Sequence, residues 1–162
     1  LQIQLHQLLR LNFSLSEITH SNTAIRKGID NAPTAKHLQN IQLLIKQVVQ
    51  PMRSSIGAIR ISSGYRNPKL NRAIGGSSRS QHCKGEALDL QFWKEGYMNN
   101  KVMYDWILDN NIDFDQMINE FDFSWIHISY SENKNRRQVL EAYKNDLGKT
   151  AYRHAKDNIK GL

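Results

Sequence analysis

Six histidines occur, His6, His20, His37, His82, His127 and His154, and two of them stand where chemistry can use them. His82 lies in Ser80-Gln81-His82-Cys83-Lys84-Gly85-Glu86-Ala87-Leu88-Asp89, seven positions before an aspartate set between Leu88 and Leu90. Such an aspartate is costly to bury unless it is paired or binds a metal. His127, in Trp125-Ile126-His127-Ile128-Ser129, is again polar between apolar neighbours. Two inward polar residues on separate strands and a loop histidine suit a three-ligand zinc site with an open fourth position, as catalytic zinc requires. The same spacing also suits a buried Asp–His hydrogen bond with no metal, and spacing alone leaves both readings open. The single cysteine, Cys83, excludes an intramolecular disulfide framework and a Cys-rich zinc finger, so any metal site is built from His and carboxylates. With no partner thiol, Cys83 itself reads as a packed or free thiol.

These residues need elements to hold them. Ser14-Leu15-Ser16-Glu17 has the spacing of a capping box, and a short helix is expected to follow to about His20. Leu38, Ile41, Leu44, Ile45, Val48, Val49 and Met52 recur at three- and four-residue steps, which predicts a core helix over about Thr34 to Ser54. Ala58 to Ser62 alternates and is β-branched, a strand ended by the loop Ser63-Gly64-Tyr65-Arg66-Asn67-Pro68, with a helical turn opened by Pro68. The Gly/Ser-rich stretch from Ala73 to Lys84 reads as an irregular loop before a second strand, Ala87 to Gln91. A helix from about Asn99 to Asp109 follows, with Val102, Trp106 and Ile107 inward. Two strands, about Phe114 to Glu120 and Trp125 to Tyr130, flank Phe121-Asp122-Phe123-Ser124, which suits a four-residue hairpin loop. From Asn135 the chain is basic and weakly periodic; Val139, Leu140 and Tyr143 could pack and the rest is expected to be solvated. The pattern predicts an α+β fold, a small antiparallel sheet with helices packed on one side. The expected divisions are an N-terminal extension over 1–12, one domain over 13–143 and a basic tail over 144–162.

The chain has 162 residues, 40% of them hydrophobic, enough for one globular core and too apolar for disorder. Lys and Arg number 22 against 15 Asp and Glu, a net charge of +7 that attracts nucleic acid, anionic lipid or an anionic cell wall. No run approaches the roughly 18 apolar residues of a membrane span, and Leu1 to Leu11 lacks the charged start and unbroken apolar core of a signal peptide. The chain therefore reads as soluble.

The string Ser80-x-His82-x-x-Gly85-x-Ala87-x-Asp89, followed by Trp125-x-His127, resembles the zinc D-Ala-D-Ala carboxypeptidases and the related L-alanyl-D-glutamate endopeptidases that cut peptidoglycan stem peptides. Ser62-Ser63-Gly64-Tyr65-Arg66-Asn67-Pro68 is similar to that family's arginine loop, and the resemblance runs from about Phe13 to Leu140. It implies a hedgehog-like metallopeptidase fold, one zinc ion per chain and His82, Asp89 and His127 as its ligands. It further implies that Arg66 binds substrate or stabilises an oxyanion, and that Ser80 contacts the substrate backbone or carboxylate. For Arg66 the bland reading is a loop arginine in a surface ion pair. For Ser80 it is a hydroxyl bonding its own loop.

Many members place the catalytic acid three residues before the last histidine, where this chain has Ser124, which cannot act as a general base. Hairpin register narrows the replacement to Glu120 or Asp122. If Glu120 faces Trp125 across the loop, Ile118 faces His127, and residues 116, 118 and 120 share a sheet face with 125, 127 and 129. Glu120 is then a diagonal neighbour of His127 at roughly 7–8 Å, which leaves room for a water between them. Asp122 sits in the turn without a fixed direction and is the reserve. The expected function is a zinc peptidase acting on peptidoglycan stem peptides, as carboxypeptidase or endopeptidase. The expected molecule is a monomer at the bacterial cell wall, with an origin in a phage lysin favoured. The alternative is a non-catalytic wall-binding or phage structural module that keeps the fold. Nucleic-acid binding rests on charge alone, without an aromatic-rich basic motif, and is not expected.

Overall fold

The computed structural model describes residues 12–155. The expected extension over 1–12 therefore lies, but for Asn12, outside the described residues, as does the end of the chain from 156. Two short helices open the described chain, α1 (Leu15–Thr19) and α2 (Asn22–Arg26). The capping box forms at α1: the Ser14 hydroxyl accepts from the Glu17 amide while the Glu17 carboxylate accepts from the Ser14 amide.

The predicted core helix appears as α3 (Ala35–Leu44), a π-helical turn (Ile45–Val49) and α4 (Gln50–Ile56) in unbroken succession. Pro51 explains the widened turn. It has no N–H for the carbonyl four residues back and its ring clashes there, so the ladder shifts and the Gln50 amide bonds Ile45 O instead. The apolar stripe survives: Leu38, Ile41, Leu44, Ile45, Val48, Val49 and Met52 are all buried. Each contributes about 1.5–3 kcal/mol by leaving water.

The strands are β1 (Ile59–Ser63), β2 (Ala87–Lys94), β3 (Tyr97–Met98), β4 (Gln116–Glu120), β5 (Trp125–Ser129), β6 (Gln138–Lys144) and β7 (Thr150–His154). Between them lie α5 (Pro68–Ala73) and α6 (Lys101–Asp109). The sheet has seven strands in the order β1-β2-β5-β4-β6-β7, with β3 paired to β2 beyond that path. The fold is α+β as expected, but the sheet is larger than the small one predicted. It is antiparallel except where β6 lies parallel to β4. Weak periodicity after Asn135 concealed β6 and β7, because β6 is half-buried along most of its length and β7 is mostly exposed. Val139 packs on the core, whereas Tyr143 is exposed and lies under Arg153, 5.1 Å from its ring. In α6, Ile107 is fully buried with Met103 and Tyr104, while Val102 and Trp106 are only partly covered.

Register assigns the two faces of the sheet. Leu88, Ile128 and Met117 pair across β2, β5 and β4, as do Leu90, Ile126 and Asn119. Leu88, Leu90, Ile126, Ile128 and Met117 are fully buried against the helices. The alternate residues form the other face, where one row runs Asp89, His127, Ile118, Leu140. The polar interruptions in the apolar strands therefore share the face opposite the core.

Candidate functional site

His82 does not sit in an irregular loop as expected, but in a 3-10 turn, Gln81–Lys84, that ends at Gly85 in a left-handed conformation. A side chain on Gly85 would be strained at φ +71°, and its Cβ would come 2.4 Å from the His37 carbonyl oxygen. The turn is clamped from a second side by Asp115, which accepts from Gln81 Nε2 at 2.7 Å and from Arg136 Nε and Nη2 at 2.7 Å each. The Arg136 bonds hold the Asp115 carboxyl below its usual range although burial alone would raise it.

His82 is buried, and its Nδ1 donates to the Gly64 carbonyl oxygen at 2.7 Å. Gly64 has its own reason to lack a side chain, because a Cβ there would lie 2.2 Å from the Ile18 carbonyl oxygen. With Nδ1 carrying the proton, His82 Nε2 faces Asp89 Oδ1 at 3.3 Å. The same Oδ1 lies 3.0 Å from His127 Nδ1. Ligand atoms of the three side chains all lie within 4.8 Å of one another.

Burial lowers the pKa of His82 more than the Asp89 carboxylate raises it. Burial would push Asp89 up, but His82 and His127 outweigh it and keep the carboxyl well below the ordinary range. The donor set, two imidazoles and one carboxylate, is the chemistry zinc takes, so the residues fit that ion.

Arg66, on the loop after β1, has Nη2 at 3.9 Å from Asp89 Oδ2, too long for a strong pair. Its Nε is buried without a hydrogen-bond partner among the described residues, which leaves guanidinium capacity for an incoming acceptor. A surface ion pair does not describe it, since its side chain is 18% exposed. Arg66, Ser80 and Glu120 line a cleft of about 540 Å³ with the three clustered residues.

Glu120 pairs with Trp125 and Ile118 with His127, the register expected from the four-residue loop. Glu120 is 7% exposed, and burial pushes its carboxyl up to about 7, with His127 opposing the rise and Asp89 adding to it. Asp122 is exposed and lines a different hollow, with Asn119 and Glu141, on the reverse side. Ser124 is held in the turn: its hydroxyl donates to Phe121 O at 2.9 Å, and its carbonyl accepts from Gln91 and Asn100. Phe121, Asp122 and Phe123 all have positive φ. The turn is fastened by Asn119 Oδ1, which accepts from the Phe123 amide, and by Asn100, which donates to Phe123 O. Strained non-glycine residues beside a cleft need such fastening.

Sequence reasoning passed over Arg79 and Tyr152, both of which line the cleft. Arg79 sits in a Ser/Gly-rich loop with nothing to distinguish it. Tyr152 lies on a strand that the periodicity did not show.

Two comparisons bear on this geometry. The model of the family Peptidase M15 matches residues 11–129. The zinc D-Ala-D-Ala carboxypeptidase of Streptomyces albus G is 30% identical over 98 residues, which cover 59% of this chain and 37% of that relative's length.

Proposed function

The chain belongs to the Peptidase M15 family, and on that premise we propose that it is a zinc peptidase that hydrolyses a peptide bond in peptidoglycan stem peptides. One observation carries the reading. His82, Asp89 and His127 bring their ligand atoms within 4.8 Å of one another in a cleft that Arg66, Ser80 and Glu120 also line. Among the described residues no helix is long and apolar enough to cross a membrane. The net charge of +7 would hold the protein on an anionic wall, where such peptides occur.

His82, Asp89 and His127 would hold the ion. Bound zinc supplies a Lewis acid that acidifies water and polarises a carbonyl. Glu120 accepts a proton from the attacking water and returns it to the leaving amine, work that suits a carboxyl whose pKa lies near neutrality. Arg66 places its guanidinium by the oxyanion or by a substrate carboxylate, and Ser80 donates to the substrate backbone or carboxylate. Gly64 O fixes the protonated nitrogen of His82, so the ring cannot turn the wrong atom to the ion.

The test is digestion of purified sacculi by the zinc-loaded protein, with mass spectrometry to identify the new termini. Loss of a terminal D-alanine, or a cut within the stem, supports the proposal and decides between carboxypeptidase and endopeptidase. Intact stem peptides beside a fully zinc-loaded protein would return the chain to a wall-binding module.

A further inference from the structure

The cleft has a wall that the family match does not reach. The matched residues end at 129, whereas β6 and β7 span Gln138–Lys144 and Thr150–His154. Both strands nonetheless line the cleft, through Leu140, Thr150 and Tyr152.

Register shows how Tyr152 comes to be there. Glu120 pairs with Ala142 on β6, and Ala142 pairs with Tyr152 on β7. Paired residues share a face, so Glu120, Ala142 and Tyr152 form one row on the side of the sheet that carries Asp89 and His127. The middle member has only a methyl group. Nothing in that row stands between the Tyr152 ring and the space above Glu120, and Tyr152 lines the same cleft as Glu120 and Asp89. Tyr152 also remains 54% exposed.

The opposite wall carries Arg66, Arg79 and Ser80, so the two sides of the cleft differ in chemistry. A peptide laid across the cluster would meet cations and hydroxyls on one side and an aromatic face on the other.

We propose that Tyr152 is a substrate-contact residue, whose ring packs on the aliphatic side chains and backbone of the bound stem peptide, and that the β6–β7 hairpin is part of the binding cleft. This rests on the proposed peptidase reading, and it concerns binding rather than proton transfer. The contact is made by the ring, so Tyr152→Phe keeps it and Tyr152→Ala loses it.

The experiment measures disaccharide-pentapeptide muropeptide twice, as hydrolysis kinetics with the zinc-loaded protein and as binding by calorimetry with zinc-loaded Glu120→Gln, with and without the change at 152. The expected result for Tyr152→Ala is a KM and a Kd raised about tenfold, with kcat changed less than threefold and the thermal midpoint and zinc content unchanged. Tyr152→Phe is expected to stay within threefold of wild type in both measurements. An unchanged KM and Kd in Tyr152→Ala would overturn this inference and leave the peptidase reading standing. Binding that depends on Tyr152 without any cleavage would support the inference and overturn the peptidase reading. A wild-type protein that neither binds nor cleaves the muropeptide would overturn both.

Discussion

Replacing Glu120 by Gln removes the proposed proton carrier while keeping its shape, and two effects of opposite sign are expected. In hydrolysis the loss is about 10²- to 10⁴-fold in kcat, the usual contribution of a positioned general acid–base. In the metal-free protein the same change is stabilising, and only at higher pH. The Glu120 carboxyl is pushed up to about 7 from an ordinary 4.5, chiefly by burial. A carboxyl with a raised folded-state pKa supports the native state below about pH 4.5. That support is lost as the pH rises through about 7, because the folded protein must then hold a charge it solvates poorly. A shift of that size corresponds to at most about 3 kcal/mol. The carboxyl lines an open cleft where water reaches part of it, so about 1–2 kcal/mol is the expected advantage of Glu120→Gln at pH 8. At pH 4.5 the advantage is near zero. Urea unfolding in the presence of a chelator at the two pH values measures it, and hydrolysis with zinc restored measures the rest. An advantage of equal size at both pH values would refute the claim that burial sets this pKa, and wild-type turnover would put the base elsewhere.

Two further outcomes follow from the way the turn is held, and a third from the cluster itself. Gly85→Ala places a Cβ at φ +71° and 2.4 Å from His37 O, so a loss of about 2 kcal/mol or more in unfolding free energy is expected, together with weaker zinc affinity by titration. Asp115→Asn breaks a two-pronged bond to Arg136 and weakens the hold on Gln81, for about 1–3 kcal/mol at pH 7. Because the Asp115 pKa is depressed, that deficit should shrink as pH falls below about 4, where the unfolded chain begins to take up the proton, and go once the folded carboxyl is protonated too; a deficit independent of pH would count against the ionic clamp. His127→Ala leaves two of the three clustered side chains, and zinc bound after gel filtration should fall well below one ion per chain, while undiminished zinc would place the ion elsewhere.

Much of the site was legible because its residues violate the pattern around them. Asp89 and His127 interrupt apolar strands, and a period of two puts both on the face opposite the core, where register pairs them directly. His82 was legible by type but not by conformation. Nothing local announces that Gln81–Lys84 winds into a 3-10 turn, because the turn is tied by long-range bonds to Gly64 O and to Asp115. The core helix was read from its stripe, but its π-helical turn depends on where Pro51 falls within an otherwise helical run. The last two strands were hidden for a physical reason. β6 is half-buried along most of its length and β7 is mostly exposed, so neither carries the clear apolar alternation of a strand packed on helices. Tyr152 lies on the second of these strands, with no pattern to mark it.

The serine at position 124 shows why register carries function further than motif position does. Counting three residues back from His127 finds no acid, and by count alone the site has lost its base. Spatially the position is part of a turn. The Ser124 hydroxyl bonds Phe121 O, and its carbonyl is taken by Gln91 and Asn100, so residue 124 is a fixed part of that turn. Across the hairpin, Glu120 begins from the sheet face that already holds His127, one pair of residues along the ladder. The left-handed run from Phe121 to Phe123 closes the loop in four residues and keeps that register, and a slip of one residue would turn Glu120 to the core side. On the proposed reading the carboxylate is supplied by the strand before the turn rather than by the turn. Glu120 and the fastening of the loop by Asn119 and Asn100 are parts of one device.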